Sequence, residues 1–232
     1  MKTLTVDDLT FQVRESARRA TLEIIVDREG DLVLAAPPGV PAAALEQFVQ
    51  DKLVWVYTRL EEKAAQARSG GRKEYVTGEG FYYRGRRYRL KLVGQETQRP
   101  PLRLYQGRFC LRRDARPHAR AHFIRWYTLH LRPTLDDLLA QFVDRVGATP
   151  RAVHIQDLGY RWGSRGKRGH LYFHWRVALL PYRMMAYVVA HELVHLVVPK
   201  HNAAFWARLG RVMPDYEARR RWLQEKGARY DL

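Results

Sequence analysis

His191-Glu192-Leu193-Val194-His195 sets two imidazoles and a carboxylate within five residues, and His201 follows six residues after the second imidazole. On an α-helix, residues four apart share a face, so His191 and His195 can aim their rings at one ion. Glu192 is turned roughly 100° from His191, near enough to reach a water beside that ion without serving as a ligand. Val198-Pro199 must end such a helix, because proline has no N–H and drives the residue before it toward extended backbone. The chain then turns, which lets His201 come back toward the pair as a third ligand. Three neutral protein ligands and an open position are the layout of a catalytic rather than a structural zinc, and no cysteine stands nearby to close the site. The pattern predicts Zn2+ held by His191, His195 and His201, with Glu192 as general base for attack by water.

Hydrolysis also needs a second electrophile to meet the charge that develops on the substrate. Arg161 and His174 are the expected catalytic groups for that role, with Tyr187 a third candidate; the bland alternatives are a loop anchor for Arg161 and a solvent-facing strand histidine for His174. Carboxylates that orient the ligating imidazoles are expected as well, and Asp215 and Glu217 lie in the right region. Trp162 and Trp206 read as packing around the site. His154 and His170 do not read as ligands.

The elements that must position these groups are legible from pattern. Residues 21–26 and 32–35 alternate as strands around a turn at Arg28-Glu29-Gly30-Asp31. From Pro41 a long helix is expected, with Leu45, Phe48, Val49, Leu53, Val56 and Leu60 at helical spacing, ending near Ser69-Gly70-Gly71. Residues 73–112 read as a β-meander with turns at Gly78-Glu79-Gly80 and Arg84-Gly85-Arg86. A helix spans about 116–146, with Pro133 expected at a break or early turn. A strand at 152–156, a loop carrying Arg161-Trp162-Gly163-Ser164, a strand at 171–175 and the histidine-bearing helix from Pro181 follow. Helices then run from Asn202, and Arg219-Arg220-Arg221 reads as a solvated helix face. The strand ahead of the motif helix is the expected edge for an extended peptide.

With the flanks in view, Arg161-Trp162-Gly163-Ser164, a strand, a proline-started helix, Tyr187-Val188-Val189-Ala190-His191-Glu192-Leu193-Val194-His195 and a His201…Phe205-Trp206 close resemble the YgjP-like metallopeptidase family, with SprT-like proteins as more distant relatives. Arg14-Glu15-Ser16-Ala17-Arg18-Arg19-Ala20 leading to Pro37-Pro38-Gly39, and the hairpin around Gly85, extend that resemblance toward the N-terminus. Two positions depart from it: Arg165 stands where the family usually has cysteine, and His174 where it usually has asparagine. The resemblance implies an α+β fold, with a zincin-like metallohydrolase module over 113–232 behind a β-rich N-terminal module with one long helix over 1–112. It also implies zinc-dependent peptidase chemistry, although some members are assigned pyrophosphatase activity on uridine triphosphate. His201 matches the metzincin count, but that pattern has glycine where Val198 stands, and Met213-Pro214 is a poor Met-turn. A metzincin is not the reading.

Composition sets the outer bounds. At 232 residues and 46% hydrophobic, the chain can bury one large or two small cores. Its single cysteine, Cys110, excludes an intrachain disulfide and suits a reducing compartment. Asp7 and Asp8 fall where a signal peptide needs its apolar core, and no apolar run approaches the ~20 residues of a membrane span, so a cytoplasmic, membrane-free protein is expected. The net charge of +17 predicts a polyanionic partner or substrate: nucleic acid, nucleotide phosphates or acidic peptides. Three functions compete on these grounds: a zinc metallopeptidase, a nucleoside triphosphate pyrophosphatase acting on the same metal, and a nucleic-acid-associated adaptor with a structural zinc. Nothing in the sequence fixes an oligomeric state.

Overall fold

The structure, a computed structural model, describes residues 2–27, 31–53, 55–57, 59–60, 73–94, 100–159 and 161–232. The expected turn at 28–30, the helix end at 69–71 and Tyr160 lie outside them. The chain divides into two compact units, Met1–Gly71 and Arg72–Leu232.

The first unit is built on a four-stranded sheet in the order β1-β2-β4-β3, with β1 Lys2–Val6, β2 Leu9–Glu15, β3 Glu23–Val26 and β4 Leu32–Ala36. Asp7 and Asp8 form the β1–β2 turn, with Asp7 at φ 52°. Aspartate tolerates that left-handed conformation better than most residues. β3 and β4 pair antiparallel as expected, whereas β4 runs parallel to β2. Phe11 and Leu34 pack with Leu45 and Val49 of α1 (Ala42–Gln50), all essentially excluded from water. The helix is not continuous. It tightens at Gln50, where Lys52 N–H donates to the Val49 carbonyl three residues back, and helical backbone resumes at Leu53.

In the second unit, the segment read as a meander has a different topology. β5 Gly80–Tyr83, β6 Arg86–Val93, β7 Leu102–Tyr105 and β8 Arg108–Arg112 lie in the order β5-β6-β8-β7, two hairpins joined by a parallel β6–β8 pair. The Arg84-Gly85 turn has positive φ at both residues, 48° and 78°, the geometry that suits the twist of a two-residue hairpin. α2 runs unbroken from Ala119 to Val146 with Pro133 inside it, contrary to the expected break. The carbonyl of Leu129, which loses its partner to that proline, lies on a face where Leu129 is 61% exposed, so water can take the bond. One buried cluster joins Phe81, Leu90 and Phe109 of the sheet to Phe123, Tyr127 and Leu135 of α2 and Val189 and Leu193 of the motif helix. The sheet of residues 80–112 therefore belongs with the rest of the second unit, and the division lies at 71/72 where 112/113 was expected.

A three-stranded sheet in the order β10-β11-β9 precedes the motif helix: β9 Ala152–Gln156, β10 Gly163–Arg165 and β11 His170–His174. β11 is central, held parallel to β9 and antiparallel to β10, so it cannot offer an edge. The edges are β9 and β10, the latter in the stretch read as a loop. A buried 3-10 turn, Trp175–Leu179, leads to Pro181 and α3 (Tyr182–Val197), followed by α4 (Ala203–Val212) and α5 (Tyr216–Lys226). The start of α3 is seated on the β5–β6 turn. Arg84 and Gly85 donate backbone N–H to the carbonyls of Ala178 and Leu179, and Arg84 also donates to Thr134 Oγ1 of α2 at 2.6 Å. A Cβ on Gly85 would stand 2.8 Å from the Pro181 ring.

Among the described residues, no helix is long and apolar enough to cross a membrane.

Candidate metal centre and hydrolytic site

α3 is a buried helix, with residues 184–190 and 192–195 all shielded, so its polar groups need a reason to be there. His191 and His195 leave it on one face. The helix stops at Val198, whose backbone is extended (φ −121°, ψ 99°), and the turn through Pro199 returns His201 to that face. Asn202 then starts α4, its side-chain oxygen accepting from the Phe205 N–H at 3.1 Å.

The three Nε2 atoms converge, 3.2 Å apart for His191 and His195, and 2.9 Å from each of these to His201. Two ligands bound at ~2.0–2.1 Å to a tetrahedral ion would be separated by roughly 3.3 Å, close to what is seen. The state of the rings suits a cation as well. Burial above all, then the neighbouring imidazoles and Arg220, hold His191 down to about 3; His195 and His201 are lowered too, chiefly by burial. Neutral rings present lone pairs, and three lone pairs aimed at one point repel unless a cation lies between them. The Nδ1–H of His195 donates to the Val198 carbonyl at 3.2 Å, which leaves its Nε2 free as acceptor. The donor set therefore fits a divalent metal, and His191, His195 and His201 form the one cluster among the described residues that could hold it.

Glu192, only 6% exposed, takes the position sequence spacing gave it, at the floor of a cleft of about 580 Å³ beside His191 and His201. Burial pushes its carboxyl up to about 8, against the pull of the Arg161 guanidinium. Its nearest wall is Gly163 of β10. A Cβ there would lie 2.6 Å from Glu192 Cγ and 2.7 Å from Oε1, so the glycine makes room for the carboxylate. That role was not legible in the sequence.

The remaining expected groups separate. Arg161 lines the cleft, and so does Tyr187, whose phenol burial raises to about 12, keeping it a hydrogen-bond donor at neutral pH. His174 is elsewhere: it is fully buried, with Nδ1 accepting from the Arg176 N–H at 3.0 Å and Nε2 facing Asp157 Oδ1 at 3.1 Å. One ring nitrogen thus caps the 3-10 turn that follows β11 and the other meets Asp157, so neither is left for a substrate. Asp215 is engaged by Arg219 at 2.8 Å, and Glu217 by the Tyr216 hydroxyl at 3.1 Å. Neither carboxylate is bonded to an imidazole; the orienting acceptor on His195 is a backbone carbonyl instead. His154 and His170 bond to each other at 3.1 Å, apart from the trio. Trp162 and Trp206 both line the cleft, Trp206 stacked on His201 with ring centres 5.5 Å apart. Arg220, read as part of a solvated run, lines it too.

A helix-borne histidine pair, a third histidine beyond the helix end and a shielded glutamate in a cleft make up a site that could bind a metal ion. The YgjP-like, metallopeptidase domain family model matches residues 20–226, and the chain belongs to that family. Among solved structures, the metallopeptidase zymogen of Pyrococcus abyssi abylysin is similar over 40% of this chain and 95% of its own, at 25% identity and a TM-score of 0.37. No curated protein matches.

Proposed function

We propose that this protein is a zinc-dependent peptidase. The observation that carries the reading is the convergence of three Nε2 atoms within 3.2 Å beside a shielded Glu192 carboxyl in one cleft. Bound by His191, His195 and His201, a zinc ion would supply Lewis acidity toward a carbonyl and acidify water. Ionised by the positive charge of that bound ion, Glu192 would take the proton of the attacking water on a carboxylate oxygen and deliver it to the leaving nitrogen. Arg161 and the Tyr187 phenol would donate to the oxygen on which charge builds. The β10 edge, which passes Glu192 at Gly163, would receive an extended peptide by strand addition.

Glu192→Gln tests this reading. The variant should keep its metal, measured by elemental analysis, and lose casein or peptide cleavage by at least ~100-fold. Full turnover with metal retained would end it. The pair of guanidiniums on the cleft, Arg161 and Arg220, favours one second reading, hydrolysis of a nucleoside triphosphate whose phosphates they would grip. Release of pyrophosphate from uridine triphosphate, abolished in the same variant, would select it.

A further inference from the structure

The three arginines at 219–221 have separate fates. Arg219 is spent on Asp215 and on the Arg183 carbonyl, 2.8 and 2.9 Å away. Arg221 is exposed and does not line the cleft. Arg220 faces the cleft, as do Leu223 and Gln224, three and four residues further along the same face of α5. Its guanidinium lies 4.7 Å from the centre of the Trp206 ring, and that ring stacks on His201. Trp206 also stacks on Tyr216 at 5.6 Å, so the platform under Arg220 is itself held from both sides.

No carboxylate among the described residues pairs with Arg220, and Glu192 is the one acid among the residues lining the cleft. Glu192 is on the Gly163 side, buried and occupied with the chemistry. The guanidinium of Arg220 is exposed at the mouth of the cleft and rests on Trp206, beside three neutral imidazoles that offer it no counter-charge. Its hydrogen-bond donors are left for an anion that enters the cleft. Its planar fork matches a carboxylate in two parallel hydrogen bonds, and stacking on an aromatic ring fixes the fork's plane in advance.

Resting on the peptidase reading above, we infer that Arg220 is a specificity-determining residue that recognises a carboxylate of the peptide, placed on the His201–Trp206 side of the scissile bond. That carboxylate is an acidic side chain or the chain terminus, two sources of one chemistry.

Binding is read separately from turnover. Zinc-loaded Glu192→Gln protein is immobilised and offered short peptides that carry Asp or Glu against Asn or Gln at each position in turn, each with a free or an amidated C-terminus. Retention should favour peptides with the carboxylate by about tenfold, the worth of one charge-assisted hydrogen-bonded contact at an exposed site. Adding Arg220→Gln should remove that preference and leave retention of the amide peptides unchanged. Arg221→Gln, which removes the same charge one residue away, should leave the preference intact, which separates the local contact from the general positive field. A preference that follows amidation identifies the terminal carboxylate; one that follows Asp and Glu identifies the side chain. No preference, equal loss for all peptides with Arg220→Gln, or an Arg220-dependent affinity for pyrophosphate alone would overturn the inference. Wild-type cleavage of the same peptides keeps the two readings apart: cleavage without preference sinks the role of Arg220, and preference without cleavage sinks the peptidase.

Discussion

A histidine that is to hold a metal must arrive without a proton, and His191 is built for that. Its folded value of about 3 lies far below the ~6.5 of a free imidazole. Between those limits the unfolded chain binds a proton that the native chain refuses. The stabilising contribution is therefore whole above pH ~6.5 and is lost as pH falls toward 3. Glu192 runs the other way: its carboxyl, raised to about 8, favours the native state at low pH and surrenders that contribution as pH rises. In metal-free protein, NMR titration from pH 8 to 4 should show no protonation step for His191 near 6.5; an ordinary step there would contradict the burial described. Sequence spacing located His191, Glu192, His195 and His201, because helix periodicity and a proline stop are local rules. It misplaced His174, whose buried bonds to Asp157 and Arg176 depend on how a strand meets a loop. It also passed over Arg220, since only the packing of α5 decides which of three consecutive arginines meets the cleft.

Among the elements, β10 matters most to the chemistry, and it is three residues long. Gly163→Ala would force a methyl group against Glu192, an overpacking that costs about 1–3 kcal/mol and displaces the carboxylate. The expected outcome is hydrolysis reduced by at least ~10-fold with zinc content unchanged. Denaturant titration supplies the control: in a Glu192→Ala background the added methyl enters vacated space, so its destabilising effect should shrink or vanish. Additive losses in that double-mutant cycle would show that the two side chains do not meet. Strand and helix positions followed from periodicity, but pairing partners did not. The parallel β6–β8 contact arises between segments whose alternation would serve a meander equally well. Pro133 survives inside α2 because helix packing on both sides outweighs one missing hydrogen bond, a balance that no local rule reports.

For the molecule as a whole, the excess of 41 basic over 24 acidic residues sets a long-range field that no single contact accounts for. Binding to a short DNA duplex, followed by fluorescence anisotropy, should weaken by at least ~10-fold between 50 and 200 mM salt, and Glu192→Gln should not alter it. A salt-independent affinity, or none at 50 mM, would remove nucleic acid from the partners the charge predicts. The sequence reading set a boundary at 112/113, whereas the compact units of the structure meet at 71/72. Burial of Phe81 and Phe109 against α2 is a long-range event, and it draws residues 80–112 into the second unit. The seating of Pro181 on the left-handed Gly85 turn carries that dependence to the reactive groups. During synthesis the ribosome releases this footing long before the helix that stands on it, so the three histidines come together late, on ground already laid.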